Sequence, residues 1–415
     1  MTRFRSKKTA YPTPWATLLP LLLLISSFSL PAVASVASGV ASAAHFDLTL
    51  STVKPSVSPT CSASGLCPSM VRTAYGFGTM PSNSTQNGTG QTVVIIDACG
   101  DSAIKTDLAA FDAAFGLPAA NLTIYTPQGT PCSNPTGWGL ETALDVEWSH
   151  VIAPGASIAL IETKTQSNTN LYGGWNYSLA NHLGNQISNS WGGSGACPSV
   201  ARSLLTKATT AHVSILASSG DSGAWGSGQR LKAQAPADCQ AVVTVGGTSL
   251  SVSSTGAYKS ESAWSGGGGG YVPSTSEPSY QSKANISDSY AELGKPDVSA
   301  VADPSTGVWV YEASSGGWVV VGGTSVACPI WAGYFADVND WRAANGFSAL
   351  GSVDSFLYSS IYGVGGTGSS YSSSFHDVTS GSNGWSAGTG WDAATGLGSF
   401  QASSLASVLA SNPKA

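Results

Sequence analysis

Charged side chains are scarce in this sequence. They make up 10% of its 415 residues, with 17 Lys and Arg against 23 Asp and Glu and a formal net charge of −6. No basic patch stands out, so the composition argues against a nucleic-acid-binding protein. Leu, Ile, Val and Trp are spread along the chain, which argues against disorder, and the length suffices for a full hydrophobic core.

Beyond the N-terminus, no apolar run approaches the roughly 20 residues of a membrane helix. The N-terminus itself has a basic stretch with Arg3 and Lys8, then an apolar run that ends in Ala32-Val33-Ala34. This order is typical of a cleaved export signal, and the alternative is a retained N-terminal anchor. We predict a signal peptide over 1–34 and a secreted, extracellular protein that is monomeric and has no membrane span after signal removal.

The sequence contains no C-x-x-C pair, which makes a structural zinc site improbable. Its seven cysteines are an odd number, so at least one lacks a partner within the chain. Export permits disulfides, but spacing alone does not fix their connectivity. As a working hypothesis we pair Cys61 with Cys67, Cys99 with Cys132 and Cys197 with Cys239. This leaves Cys328, which lies within an apolar run, as a free buried thiol.

Apolar runs that suit buried strands alternate with helical patterns from about residue 92 onward. The expected strands are 92–97, 156–163, 185–191, 213–220, 241–250, 308–313 and 317–323. The expected helices are 107–117, 140–152, 201–212, 326–344 and a final one near 400–410. Such alternation predicts an α/β protein with a mainly parallel sheet covered by helices on both faces. We expect a linker or short arm over 35–67 and one catalytic-sized domain over 68–410.

Histidine, the usual base for a serine nucleophile, is poorly placed here. His45 falls in the expected linker, and His182 and His212 fall at or near helix ends. None of the five histidines, which also include His150 and His376, stands in a glycine-rich helix-start setting. A Ser-His-Asp enzyme is therefore poorly supported.

Carboxylates are better placed than the histidines. Glu141 and Asp145 are spaced i,i+4, which puts both on one face of the expected helix. They form either a solvated acidic face or, if buried, a pair that shares a proton and acts as a base.

Asp221 follows the strand 213–220, where open α/β sheets place working residues; its alternative role is that of a turn former. An apolar site could keep it protonated, as a donor to an oxyanion.

Ser325 follows a strand and a Gly-Gly pair and opens an apolar helix. It is either a nucleophile beside oxyanion-binding backbone amides or a helix-capping residue.

Asp377 and Asp392 lie in glycine-rich segments near the C-terminus. Carboxylates together with loop carbonyls suit Ca²⁺, although Asp is also common in turns.

In this order and spacing, the motifs resemble those of the sedolisins, serine-carboxyl peptidases with a subtilisin-like fold. The resemblance covers about residues 70–410. It rests on E-x-x-x-D at 141–145, S-W-G at 190–192, W-S-G-G-G at 264–268, S-S-G-D-S-G at 218–223, G-T-S-x-x-x-P at 323–329 and G-W-D-x-x-T-G-L-G at 390–398.

The resemblance implies a three-layer α/β/α domain and a role for each candidate residue. Ser325 would be the nucleophile, Glu141 its general base and acid, Asp145 the residue that orients Glu141, and Asp221 the oxyanion-hole acid. Asp97 and Trp191 would have supporting roles. One structural Ca²⁺ would be held by carboxylates and loop carbonyls; these ligands are Asp377, Val378, Gly388, Gly390 and Asp392.

The implied activity is that of an acid-acting endopeptidase on protein or peptide substrates, which proceeds through an acyl-enzyme. Two rivals remain: an ordinary subtilisin, which needs a His base, and an inactive secreted binding or adhesion protein on the same fold. Sedolisins usually carry a large prodomain, whereas only about 35 residues separate the expected signal from the expected domain. We therefore do not predict autocatalytic activation. Cys328 stands where Ala is more usual, which should affect packing rather than chemistry.

Overall fold

The computed structural model describes residues 49–50, 58–77, 87–133, 137–226, 233–286 and 290–411. These residues belong to one compact unit, Ala41–Ala415. The predicted signal peptide, 1–34, lies outside the described residues, so its export role stays a prediction. In the described ranges no helix has the length and apolarity needed to cross a bilayer.

Strands are numbered in chain order. They are β1 Thr49–Leu50, β2 Thr92–Ala98, β3 Asn121–Tyr125, β4 Ser157–Thr163, β5 Gln186–Ser188, β6 Gly193–Ser194, β7 Ser214–Ser218, β8 Ala224–Trp225, β9 Gln234–Ala235, β10 Val243–Val252, β11 Tyr258–Ala263, β12 Gly269–Ser276, β13 Glu292–Lys295, β14 Val298–Val301, β15 Val308–Glu312, β16 Gly317–Gly322, β17 Phe375–His376 and β18 Ser399–Phe400.

Helices are numbered in the same way. They are α1 Pro68–Ala74, α2 Ile104–Phe115, α3 Trp138–Ile152, α4 Asn168–Asn181, α5 Ser199–Thr210, α6 Ser279–Ala284, α7 Thr324–Ala344, α8 Asp354–Phe356, α9 Tyr371–Ser374 and α10 Ala402–Ala410.

The central sheet has eight strands in the order β11-β10-β7-β5-β2-β4-β3, with β14 paired to β10 as well. Its pairs are parallel except β10 with β11. The continuous apolar run of β2 explains why it lies in the interior of the sheet, since a strand covered on both faces needs apolar side chains on both.

Successive residues of β2 face opposite layers. Val93 and Ile95 pack in one buried cluster, and Val94 and Ile96 pack in another. Helices α3 and α7 pack on the first face, whereas α4 and α5 pack on the second. The three-layer α/β/α, mainly parallel architecture is therefore confirmed.

Part of the expected arm packs against the domain. β1 pairs antiparallel with β16, and Leu66 is fully buried and bridges to Val308. The three hypothesised disulfides, Cys61–Cys67, Cys99–Cys132 and Cys197–Cys239, are all present, and Cys328 is a free, buried cysteine. The cysteine predictions are confirmed.

Helix α7 begins two residues earlier than its apolar pattern indicates. Its N-cap is Gly323 and its first residue is Thr324, so Ser325 lies inside the first turn and does not cap the helix. The capping interpretation of Ser325 was therefore wrong. Helix α4 was not expected, because its sequence has two glycines and few apolar residues.

Gly333 lets α3 and α7 approach closely. A Cβ atom at this position would lie 2.8 Å from Ile152 Cβ and 2.9 Å from the Ser149 carbonyl oxygen. Because α3 carries Glu141 and α7 carries Ser325, this contact helps to set the separation of two candidate site residues.

We expect Gly333→Val to lower the free energy of unfolding by about 1–3 kcal/mol, the usual cost of overpacking. Chemical denaturation measures this change. Ala343→Val, on the exposed end of the same helix, is the control and should change stability by no more than about 0.5 kcal/mol. Equal effects of the two variants would contradict the close-contact argument.

Candidate active site

Three central strands end at the candidate site. Asp97 is the penultimate residue of β2, Ser190 follows β5, and Asp221 follows β7. In an open parallel sheet, the carboxyl ends of neighbouring strands meet in one crevice. Helix α3 and the N-terminus of α7 complete the site with Glu141, Asp145 and Ser325.

Glu141 and Asp145 are completely buried, as is every residue of α3. The alternative of a solvated acidic face was therefore wrong. The i,i+4 spacing does place the two carboxyls close together, because Asp145 raises the pKa of Glu141.

Ser325 is also fully buried, in the first turn of α7. Its side chain interacts with the Glu141 carboxyl and lowers the pKa of that group, against the larger effects that raise it. Neither Glu141 oxygen makes a hydrogen bond of standard geometry with another described group. Contacts between catalytic groups are commonly loose in substrate-free enzymes and tighten when substrate binds.

Burial raises the pKa of all three clustered carboxyls. The pKa of Glu141 is raised well above its usual value by burial first and then by Asp145, and the pKa of Asp145 is raised by burial and then by Asp97. Burial also raises the pKa of Asp97 to about 7. The three groups form a carboxyl cluster that prefers to hold protons.

Asp221 is fixed beside the nucleophile candidate. Its Oδ1 accepts hydrogen bonds from the Thr324 amide at 2.7 Å and the Thr324 hydroxyl at 2.9 Å, and that hydroxyl accepts one from the Gly220 amide at 3.0 Å. Because Oδ1 is the acceptor in both bonds, Oδ2 is the oxygen suited to carry a proton.

Ser190 contributes a contact that the sequence did not assign. Its hydroxyl donates to Asp145 Oδ1 at 2.8 Å, which fixes the position of that carboxyl. The adjacent Trp191 donates its indole N–H to the Ile96 carbonyl at 2.9 Å, next to Asp97. The S-W-G motif marked this position, but only the fold reveals what Ser190 touches.

The described histidines make their contacts elsewhere. His150 Nε2 lies 2.8 Å from the Pro118 carbonyl oxygen and 3.4 Å from Asp112, and His376 stacks on Tyr258. His182 and His212 take positive φ values after α4 and α5. Among the described residues, the group that faces Ser325 as a base is therefore a carboxyl.

Comparisons with known proteins agree with this geometry. The subtilase family model matches residues 116–350. Kumamolisin from Bacillus sp. (strain MN-32) is 32% identical over 326 residues, which are 72% of this chain and 54% of that protein. Sedolisin from Pseudomonas sp. (strain 101) is 31% identical over 366 residues, which are 80% of this chain and 60% of that protein.

A solved structure of Pseudomonas sedolisin, described as a serine-carboxyl proteinase complexed with two molecules of pseudo-iodotyrostatin, superposes with a TM-score of 0.72 and 30% identity. The match covers 85% of this chain and 100% of that one. This chain belongs to the sedolisin family. It spans only 54% and 60% of the two curated relatives' own lengths.

The C-terminal segment of the chain has the donor chemistry of a calcium site. The carbonyl oxygens of Val378, Gly388 and Gly390 accept no hydrogen bond from any described residue, and Val378 and Gly390 are buried. The Gly390 amide donates to both oxygens of Asp377, at 3.1 and 3.0 Å, and the Gly388 amide donates to Asp392 Oδ2 at 3.0 Å. Two carboxylates beside carbonyls that lack partners fit a hard cation.

Cys328 lies near the candidate site, three residues after Ser325, and is completely buried. Its Sγ lies 3.4 Å from Ser188 Oγ, and burial raises the pKa of the thiol to about 12. Such a thiol stays neutral and behaves as a small apolar side chain.

The buried carboxyl cluster predicts that the fold is more stable in acid. The pKa of Asp97 is raised to about 7, so its contribution is present below the unfolded-state pKa and is lost as pH rises through 7. We expect Asp97→Asn to raise the melting temperature by several degrees at about pH 7.5. A pKa difference of one between the folded and unfolded states corresponds to about 1.4 kcal/mol, and about 1 kcal/mol shifts the melting temperature by roughly 2–4 °C.

The same variant at about pH 4 is the internal control, because protonated Asp and Asn are both neutral there and the difference should nearly vanish. Calorimetry at both pH values measures it. A melting temperature at pH 7.5 that is unchanged or lowered would contradict the proposed cost of ionising Asp97.

Proposed function

We propose that this chain is a secreted, monomeric, acid-acting serine-carboxyl endopeptidase that hydrolyses proteins or peptides. The observation that carries the proposal is the contact between Ser325 and the buried Glu141 carboxyl. No described histidine belongs to this cluster. The family membership agrees with it, and the three disulfides suit an exported protein.

In the proposed mechanism, Glu141 accepts the Ser325 proton as Oγ bonds to the peptide carbonyl carbon. Asp221 donates a hydrogen bond from its protonated oxygen to the oxyanion that develops. The C–N bond then breaks, and Glu141 passes its proton to the leaving amine. Water, deprotonated by Glu141, attacks the resulting ester and releases the acid product and Ser325.

The cluster explains why acid should favour this chemistry. The three carboxyls influence one another, so they lose their protons in separate steps. The Ser325 hydroxyl favours ionisation of Glu141, while Asp145 and Asp97 can remain protonated. As pH rises toward neutral, the cluster gains further charge, whereas the proposed oxyanion contact requires Asp221 in its protonated form.

Both rival functions are less well supported. A subtilisin-type mechanism needs a His base, and Glu141 occupies the position facing Ser325. An inactive binding or adhesion protein would have no need of four intact candidate residues gathered in one site: Glu141, Asp145, Asp221 and Ser325.

We expect hydrolysis of casein or haemoglobin to peak on the acid side of neutral between about pH 2 and pH 7. Glu141→Gln should lower kcat by about 10²–10⁴-fold, the usual contribution of a general base. Asp221→Ala should lower it by about 10²–10³-fold, as for loss of an oxyanion-hole donor.

Asp340→Asn, at the far end of α7 from Ser325, is the control and should retain activity. Full activity of Glu141→Gln would show that the base is misassigned. A rate maximum near pH 8 would favour the subtilisin mechanism, and no hydrolysis by folded protein at any pH would favour the binding protein.

We also propose that one structural Ca²⁺ is held by Asp377, Asp392 and the carbonyls of Val378, Gly388 and Gly390. When bound, the ion would neutralise two carboxylates and cross-link the segment after β17 to the loop before β18. The donor set supports this proposal, because all five ligands are oxygen atoms.

Removal of calcium with EGTA should lower the melting temperature of the inactive Ser325→Ala protein, which cannot digest itself. The Asp392→Asn variant should lose part of this calcium response. Scanning fluorimetry measures both effects. An identical calcium response in Asp392→Asn and its parent would argue against this ligand set.

A further inference from the structure

Glu162 stands directly beside Asp97 of the carboxyl cluster in the central sheet. Strands β2 and β4 run parallel, and these two residues are partners in their register. Neighbouring strands of a sheet lie about 4.8 Å apart. In the sequence Glu162 is only the polar end of an apolar run, so the pairing of the strands is what brings it to the cluster.

Both side chains lie on the face of the sheet that α3 covers. Ile95 of β2 and Leu160 of β4 belong to the buried cluster on that face. Because side chains alternate along a strand, Asp97 and Glu162, each two residues further on, lie on it as well. Their carboxyls are therefore neighbours on the side of the sheet that faces Glu141.

The loop after β2 fixes the Glu162 carboxyl. Its Oε1 accepts a hydrogen bond from the Asp101 amide at 3.0 Å. Its Oε2 lies against Gly100, where a Cβ atom would be 2.5 Å away. Gly100 has a φ of 61°, a conformation that glycine adopts without strain, and its missing side chain leaves the room that the carboxyl occupies. The loop thus holds the carboxyl over the end of β2.

Asp97 and Glu162 differ in their access to water. Asp97 is completely buried, whereas Glu162 is 7% exposed and lines a cavity of about 510 Å³. The exposed Ser102 and Ser133 also line this cavity, which therefore opens to solvent. Glu162 can exchange protons with solvent there, and its charge follows the external pH.

Glu162 acts on Asp97 electrostatically. Burial raises the pKa of Asp97 to about 7, the Thr142 hydroxyl lowers it, and Glu162 raises it further. The pKa of Glu162 is raised by burial, lowered by the Asp101 amide and raised by the Asp101 carboxyl. Among the described residues, no lysine, arginine or histidine forms an ion pair with Asp97 or Glu162. The negative charge of Glu162 is therefore felt by Asp97 without a nearby cation to offset it.

Asp97 in turn competes with the proposed base for negative charge. An ionised Asp97 raises the pKa of Glu141 and also that of Asp145. A charge on Asp97 therefore makes it harder for Glu141 to ionise and to accept the Ser325 proton. The base works best while Asp97 is protonated.

We propose that Glu162 is a positioning residue of this peptidase, whose negative charge keeps Asp97 protonated and so leaves the ionised form to Glu141. The inference rests on the proposed function, because that function assigns Glu141 as the base. Glu162 acts through Asp97 and takes no direct part in the chemistry. Its effect is present only at pH values at which Glu162 itself is ionised.

The first test is the pH profile of kcat for casein hydrolysis by Glu162→Gln, whose side-chain oxygen can still accept the Asp101 amide. At about pH 3 the variant should match the parent, because Glu162 is neutral there. Its alkaline limb should move to lower pH by about one unit, which is up to about a tenfold loss of rate on that limb. Glu162→Asp keeps the charge and should restore most of the parent's limb.

Glu147→Gln is the matched control, because Glu147 is a fully buried glutamate of α3 that does not act on Asp97. It should keep the parent's limb. An alkaline limb that is unchanged in folded Glu162→Gln, or moved equally by Glu147→Gln, would overturn the proposal. If Glu162→Gln does not fold, Glu162→Ala replaces it with the same expected and overturning results.

The second test needs no activity and uses the Ser325→Ala protein. At about pH 7.5, the rise in melting temperature caused by Asp97→Asn should be smaller in the Glu162→Gln background, because part of the cost of ionising Asp97 has already been removed. At about pH 4 the two substitutions should be additive, since the carboxyls are then largely neutral.

Equal effects of Asp97→Asn in both backgrounds at pH 7.5 would overturn the proposal, whatever the activity. A smaller effect in a parent that hydrolyses no substrate at any pH would instead contradict the proposed function and, with it, the role of Glu162 in catalysis. The melts and the pH profile therefore distinguish failure of the coupling from failure of the function.

Discussion

The burial of Glu141, Asp145 and Asp97 in one water-excluded space is the constraint on which the site depends. Burial raises the pKa of all three carboxyls, and Asp145 and Asp97 raise that of Glu141 further. The cluster is stable chiefly when it holds protons. A carboxyl base of this kind suits acidic pH, because most carboxyls of the cluster stay neutral there. One negative charge, on Glu141 beside Ser325, is then enough to accept the serine proton.

The first turn of α7 serves two parts of the proposed chemistry. Ser325 meets Glu141 across the contact with α3, and the preceding Thr324 binds Asp221 through both its amide and its hydroxyl. Gly333 permits the helix approach that brings Ser325 and Glu141 together. The packing of two helices thus sets the distance between base and nucleophile, while adjacent residues set the position of the oxyanion donor.

Negative charge is distributed unevenly around this end of the sheet. Burial and neighbouring carboxyls raise the pKa of Glu141, whose oxygens make no hydrogen bond of standard geometry with a described group. The carboxylates of Asp101, Asp107 and Glu312 instead accept hydrogen bonds from the backbone amides of Ala103, Ala313, Ser314 and Ser315. Backbone amides thus stabilise negative charge in the second group and not on Glu141.

The sequence by itself determined the strand–helix alternation, the placement of Glu141 and Asp145 on one helix face, the poor placement of histidine and the apolar setting of the free Cys328. These follow from local periodicity and residue type. It could not show that α3 is wholly buried, that Gly323 rather than Ser325 caps α7, or that Ser190 holds Asp145. Nor could it bring Asp101 and Glu312 together across more than two hundred residues. Such facts depend on contacts between distant segments, and only the tertiary structure decides which carboxyls lose water and which groups they then face.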